Sequence, residues 1–415
     1  MYEPVIIAGA GPVGLTLALL LHRQGRSVRI FEAVDALQPL GVGINLLPHS
    51  VRVLHELDLT PKLDAIGIRT SALHYYNKFG QRIWEEPRGI AGGYPFPQYS
   101  IHRGELQRLL LAEVVARLGP ECLCAGQRLT GWTDTADGIE AAFAGADGTT
   151  RMVKGRCLVA ADGIKSTARS KLFPDEGEPI YGGRILWRGT TVAAPYLDGS
   201  TMFMAGHQDC KFVCYPIARL PGDEAHLLIN WIAELSVPDF EQRDQDWTKE
   251  VCIERFKGPF QSWDFGWIDI PRLIDRCQHV FEFPLSDRDP LPRWSHGHMT
   301  LIGDAAHPMY PIGSNGASQG ILDAETLADA LSRWNDIPAA FAAYEAERRP
   351  ATAKIVLANR QNGPEQVMQI VEERAPEGFD NLDDVISRHE LESYSAWYQQ
   401  TAGFSVEAVN NKVRN

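Results

Sequence analysis

A chain of 415 residues with 44% hydrophobic and 22% charged residues is long enough for more than one domain and too apolar for wholesale disorder. Its formal net charge of −13 argues against nucleic acid or an anionic membrane surface as the main partner. The seven cysteines are odd in number and thinly spread, with neither a disulfide framework nor zinc spacing, so free thiols, no metal site and a reducing cytoplasmic setting are expected.

The first apolar run, VIIAGAGPVGLTLALLL from Val5 to Leu21, follows an acid, Glu3, with no Lys or Arg before it, unlike a secretory leader. Three glycines and a proline interrupt it, unlike a membrane span. Val5 to Ala8 suits a buried parallel strand, Gly9-Ala10-Gly11-Pro12-Val13-Gly14 matches G-x-G-x-x-G, and Leu15 to Gln24 reads as the following helix. In that pattern Gly9 permits the tight turn, Gly11 lets backbone approach a pyrophosphate, and Gly14 lets helix and strand pack closely. A second strand, Ser27 to Glu32, ends in an acid 18 positions after Gly14, placed for ribose hydroxyls. A dinucleotide is implied, and this unit alone leaves NAD and FAD both open.

Further along, Leu40 to Pro48 is a glycine-punctuated loop leading into a helix from about His49 to Leu57. Residues 72–84 alternate as strands, 87–97 are loop, and Arg103 to Leu118 has the period of an amphipathic helix. Leu129 to Ala144 and Arg151 to Ala160 read as strands flanking the turn Gly145–Gly148. From Arg184 to Ala233 the runs ILWRGTTV, KFVCYPIA and HLLINWIA are sheet. Met299 to Ile302 returns to a buried strand, with helices following over Ser318–Arg333 and Pro338–Ala358, and the polar tail after Asn362 reads as a peripheral helix pair. The expected architecture is α/β: a discontinuous nucleotide-binding body over 1–71, 98–178 and 285–362, a β-sheet domain over 72–97 and 179–284, and a helical tail over 363–415.

Two more motifs carry chemistry. Cys157 to Ala161 is a strand ending in Asp162-Gly163, with Ser166 and Arg169 on the next helix. Leu301 to Gln319 delivers Gly303-Asp304, then His307, then the loop Pro311-Ile-Gly313-Ser314-Asn315-Gly316-Ala317-Ser318 opening a helix. With GAGPVG, the stretches AADGIKSTAR and GDAAHPMYPIGSNGA resemble the single-component FAD-dependent aromatic hydroxylases, the family of p-hydroxybenzoate and salicylate hydroxylases. PLGVGINLLP, EPRGIAGGYPFPQYSIHRGELQ and WSHGHMTLIGDAAHPMYPIGSNGASQGILD look like the phenazine-type hydroxylases within it, among them the 5-methylphenazine-1-carboxylate 1-monooxygenases.

The resemblance implies a p-hydroxybenzoate hydroxylase-like fold with FAD as cofactor, NADH or NADPH as a transient co-substrate, and oxygen activated at flavin C4a for transfer to an aromatic or N-heteroaromatic ring. Glu32 with Ala33 would serve the adenosine ribose, Arg103 the ribityl-pyrophosphate and Asp304 the ribityl chain; Val42 and Gly43 would lie against the flavin ring. The loop Ser314 to Ser318 would present backbone N–H groups to the pyrimidine edge, where SNGAS departs from the family's more usual G-Q-G-A-N, and Pro311 and Gly313 before it would also belong to the cofactor site. Asp162 and Arg169 would share in FAD and NAD(P)H handling.

Each role has a plainer rival: Asp162 and Asp304 as helix caps, Arg103 as a surface charge. His307 is expected to be structural. Trp187, Tyr215 and Trp231 are candidate pocket aromatics that could equally be core. No catalytic base is visible. A halogenase is disfavoured by the missing W-x-W-x-I-P motif, which leaves a non-oxygenating FAD reductase or dehydrogenase as the alternative. Expected partners are a small aromatic molecule, O₂ and NAD(P)H, with no nucleic acid and no membrane span, in a monomer or homodimer.

Overall fold

The computed structural model describes residues 3–36, 42–240 and 249–414; Leu40 and Gly41 of the glycine-punctuated loop lie outside them. Four short strands form the parallel heart of the molecule. Val5–Ala8 pairs with Val28–Phe31 on one side and Cys157–Ala160 on the other, and Met299–Leu301 adds beside Cys157–Ala160. Leu123–Cys124 and Ser295–His296 close the two edges. Val5–Ala8 and Cys157–Ala160 are buried along their whole length, as continuous apolar runs covered on both faces must be. Helix Pro12–Arg23 packs on both Arg103–Leu118 and Gly316–Arg333, and Gly316–Arg333 packs in turn on Ile337–Arg360.

The segment expected as two strands around Gly145–Gly148 is an antiparallel meander, Gln127–Asp134, Ile139–Gly145 and Thr150–Gly155. The chain then crosses directly into the parallel sheet at Cys157, so one apolar stretch serves two sheets.

A seven-stranded sheet has the order Val280–Asp287, Ile180–Ala193, Asp223–Ser236, Cys210–Leu220, Met202–His207, Ala72–Tyr76 and Arg82–Pro87. Its two faces bury different cores because side chains alternate along a strand. One face holds Trp187, Phe212 and Trp231 against Phe256, Phe260 and Ile270. The other holds Leu186, Met204, Tyr215 and Ile232, together with Tyr310, Ile312 and the helix Gln366–Arg374. A small sheet of Gly43–Leu46, Gln98–His102 and Gly67–Thr70 lies between the larger two in the chain's path.

The tail corrects an expectation. It contains three α-helices, Gln366–Arg374, Arg388–Thr401 and Val406–Arg414, and it is not peripheral. Tyr398 is buried and joins a core with Leu47, Tyr94, Ala358 and Phe404. No described helix is long and apolar enough to cross a membrane.

Candidate functional site

The three glycines of the amino-terminal turn do different work. Gly9 has φ +111° and a Cβ there would stand 2.3 Å from the Ala161 carbonyl oxygen; a Cβ on Gly14 would stand 2.2 Å from the Gly9 oxygen. Those two are required by packing. A Cβ on Gly11 would meet no protein atom within 4 Å, so this glycine faces open space. The helix then starts at Pro12 with no side-chain cap, leaving the N–H groups of its first turn without intrahelical partners.

Gly9 and Gly11 line a cleft together with Glu32, Ala33, Gln107 and Asp162. Glu32 is held at its mouth: Oε2 accepts from Ala10 N at 2.8 Å and Oε1 from Val34 N at 3.0 Å. Asp162 Oδ2 accepts from Ala168 N at 3.3 Å, whereas Oδ1 is buried and has no hydrogen-bond partner among the described residues. Burial pushes this carboxyl above its ordinary range. The helix cap itself is Ser166, whose hydroxyl accepts from Arg169 N at 3.0 Å. An unsatisfied acceptor on the wall of a cleft beside a bare glycine fits a hydroxyl- and phosphate-bearing ligand.

Arg103 begins the helix Arg103–Leu118, is exposed, and forms no ion pair among the described residues; its N–H ties it to the Val42 carbonyl at 2.9 Å. One turn later Gln107 donates from Nε2 to Ala10 O at 2.8 Å. Gln107 was not singled out from the sequence, although its i,i+4 relation to Arg103 is a usable signal.

In the Gly303-Asp304 turn the aspartate is exposed and caps nothing. Beneath it Asp323, fully buried, accepts from Gly303 N at 3.1 Å, from Arg348 Nε at 2.7 Å, and pairs with His307 Nε2. Burial alone would raise the Asp323 carboxyl, but the charges of His307 and Arg348 outweigh it and bring it down to about 2. His307 is therefore a member of a buried triad under the turn. Arg169 is buried too, donating to Ala305 O at 3.2 Å and Ala306 O at 2.8 Å and pairing with Glu176. It latches one motif to the other, and its guanidinium is spent on protein partners.

Pro311 is exposed, and the turn after it has φ +66° at Gly313 and +57° at Ser314 before the helix begins at Gly316. The side chains point inward. Asn315 Nδ2 donates to Gly313 O at 3.1 Å and to Tyr398 Oη at 3.0 Å, and Ser318 Oγ accepts from Leu47 N at 3.0 Å. The amides of Gly316, Ala317 and Ser318 make no intrahelical bond, the first such bond being Gln319 N to Asn315 O.

Gly43 connects this end to the large sheet. Its N–H donates to Asn230 Oδ1 at 2.6 Å, its carbonyl accepts from Arg188 Nη2 at 2.7 Å, and a Cβ would lie 2.6 Å from the Tyr215 ring. Buried Val42 precedes it, and two residues on, Asn45 Nδ2 donates to Ser314 Oγ at 3.2 Å. Tyr215 thus lies on the Gly43 face of the sheet. Trp187 and Trp231 do not, which corrects their candidacy as pocket residues: they alternate with Arg188 and Asn230 and stack on Phe256 and Phe212 in the opposite core. Arg188 and Asn230, the polar neighbours of those tryptophans, were missed.

A family model described as "FAD binding domain" matches residues 2–359. The chain is 44% identical to the phenazine 1,6-dicarboxylic acid hydroxylase PhzS of Lysobacter antibioticus, over 86% of this chain and 89% of that one. It is 31% identical to the 3-amino-4-hydroxybenzoate 2-monooxygenase PtnB3 of Streptomyces platensis, over 92% and 94%. Among solved structures, a salicylate hydroxylase substrate complex superposes with a TM-score of 0.74 at 22% identity, covering 98% of each chain, which shows the shared fold. With its glycine turn, its Asp-Gly and Gly-Asp motifs and these relatives taken together, the chain belongs to the family of FAD-dependent aromatic hydroxylases, flavoprotein monooxygenases built around an FAD-binding domain.

Proposed function

We propose that this enzyme uses NADH or NADPH and O₂ to hydroxylate an aromatic or N-heteroaromatic small molecule of the phenazine carboxylate, salicylate or hydroxybenzoate type. The observation that supports it best is the 44% identity to a phenazine dicarboxylic acid hydroxylase over 86% of the chain. FAD, when bound and reduced, supplies the activated oxygen that is transferred to the ring.

The protein's part is placement, dryness and charge. Glu32 would accept from the ribose hydroxyls, with Ala33 beside it, and Asp162 lines the same cleft. Gly11 and the first amides of its helix would serve the pyrophosphate together with Arg103 and Gln107, and Asp304 would hold the ribityl hydroxyls. The unpaired amides from Gly316 to Ser318 sit where the helix dipole favours negative charge on the pyrimidine edge. Val42, Gly43 and Pro311 would border the ring, and Tyr215, on the Gly43 face of the sheet with the buried Met204 and Ile232, would help exclude water from the substrate.

The test is direct. Purified protein should carry yellow flavin, and phenazine carboxylates, salicylate and hydroxybenzoates should be screened for stimulation of NAD(P)H oxidation with stoichiometric hydroxylated product. Substrate-independent reduction of artificial acceptors, with no hydroxylated product from any ring, would instead establish the reductase reading.

A further inference from the structure

Ser314 opens the SNGAS stretch and stands at φ +57°, a left-handed conformation that favours glycine because a Cβ is crowded there. Serine at such a position is less stable than glycine would be, which directs attention to what its side chain does.

The Ser314 hydroxyl ends a chain of polar side chains on the small sheet. Thr70 Oγ1 and Ser100 Oγ lie 2.8 Å apart, Ser100 Oγ donates to Asn45 Oδ1 at 2.6 Å, and Asn45 Nδ2 donates to Ser314 Oγ at 3.2 Å. Thr70, Ser100 and Asn45 are all buried. Chemistry fixes the direction of every bond. Asn45 Nδ2 also faces the Met202 sulfur at 3.7 Å, and a thioether can only accept, so this end of the amide is its NH₂ group. Oδ1 then takes the single hydrogen of Ser100, which leaves Thr70 as the donor to Ser100. Ser314 stands last and accepts. Its own hydrogen has no protein acceptor among the described residues.

We propose that Ser314 is a hydrogen-bond donor to the flavin ring, with Asn45, Ser100 and Thr70 as positioning residues that keep its hydrogen turned outward. This rests on the reading that the turn before Gly316 lies at the flavin. Half-buried Ser314 comes just before the unpaired amides of Gly316, Ala317 and Ser318, so its hydrogen joins a field already suited to negative charge. A donor holds an ionised acceptor about twice as strongly as a neutral one, and the flavin ring gains negative charge on reduction. The hydroxyl therefore favours reduced over oxidised flavin. Because the Asn45 amide meets it only as a donor, the hydroxyl cannot turn back into the protein.

The experiment measures the midpoint potential of bound FAD by dye-equilibrated reduction of the holoenzyme, beside the FAD affinity of the oxidised protein. Ser314→Gly removes the hydroxyl and relieves the left-handed strain. Its preference for reduced over oxidised flavin should fall about tenfold, or about 30 mV for a two-electron couple. Should this variant lose FAD, Ser314→Ala is read in its place. Ser100→Ala leaves the turn untouched but frees the Asn45 amide to rotate and accept from Ser314, so its potential should fall in the same direction. Gly316→Ala tests the placement: its methyl would stand 3.9 Å from Met309 Cγ with nothing nearer, so weakened FAD binding reports the ring beside it. If Gly316→Ala binds FAD as the wild type does, the reading that puts flavin at this turn falls. If it binds weakly while the Ser314 variant keeps the wild-type potential, the donor role is overturned. A fall on losing the Ser314 hydroxyl with none in Ser100→Ala overturns the directing chain.

Discussion

The hydroxyl of Tyr398 accepts a 3.0 Å hydrogen bond from Asn315 Nδ2, so a helix late in the chain holds the turn that precedes the helix starting at Gly316. The same hydroxyl lies within reach of Ile312 O at 3.2 Å and Asn359 Oδ1 at 2.8 Å, and a Cβ on Gly313 would collide with it at 2.1 Å. Tyr398→Phe leaves Asn315 and Asn359 short of a partner in a buried site, and a loss of about 1–3 kcal/mol in unfolding free energy is expected. FAD affinity should fall with it, measured by flavin fluorescence on release. Unchanged affinity would show that the turn holds its shape unaided.

Gly9 and Gly11 should respond in opposite ways to alanine. Gly11→Ala introduces a methyl into open space at an ordinary negative φ, so the stability of the FAD-free protein should stay within about 0.5 kcal/mol or rise slightly, while FAD binding weakens. Gly9→Ala meets the Ala161 carbonyl at 2.3 Å with φ +111°, so it should compromise folding itself. Thermal melts with and without added FAD separate the two.

Asp304 and His307 stand three residues apart and should also divide. Asp304→Ala removes an exposed, unbonded side chain, with stability expected within about 0.5 kcal/mol and FAD affinity lowered on the order of tenfold or more. His307→Ala strips one partner from buried Asp323 and should cost about 3 kcal/mol or more. Urea unfolding of both variants, alongside FAD titration, checks this pair of outcomes.

His49 makes stability depend on pH. Burial first, then the positive charges of Arg348, Lys412 and Arg52, push its imidazole down to about 3. The unfolded chain takes up the proton at the ordinary histidine value, so the contribution is complete above about pH 6.5 and is lost as pH falls from there toward 3. The slope from this one group should approach 1.4 kcal/mol per pH unit at most. Urea unfolding at pH 7 and pH 5 should show His49→Gln with a smaller loss than the wild type; an equal loss would assign the effect elsewhere.

Much of this site is legible along the chain because backbone demands leave a residue signature. A tight strand-to-helix turn needs Gly9 and Gly14, and helix amides need small residues around Gly316, so those positions announce themselves. Strand parity is different. HLLINWIA marks a strand, but aromatic content draws attention to Trp231 when it is Asn230, one step away, that reaches Gly43. Trp187 hides Arg188 for the same reason. Long-range partners leave less trace still: nothing near Tyr398 in sequence marks it as the neighbour of Gly313, and Asp323 reads as one more acid on an amphipathic helix until His307 and Arg348 close on it.

The order of the parallel sheet bears on how the enzyme is made. Its neighbouring strands come from residues 5–8, 157–160 and 299–301, and the turn at Gly313 leans on Tyr398. A nascent chain emerging from the ribosome therefore exposes its glycine fingerprint beside strand 28–31, but the strand for its other side follows only at residue 157 and the one outside that only at residue 299. The ladder stays open on one side while about 125 residues between strands 28–31 and 157–160 are made, and the turn at Gly313 gains its brace only when Tyr398 has followed.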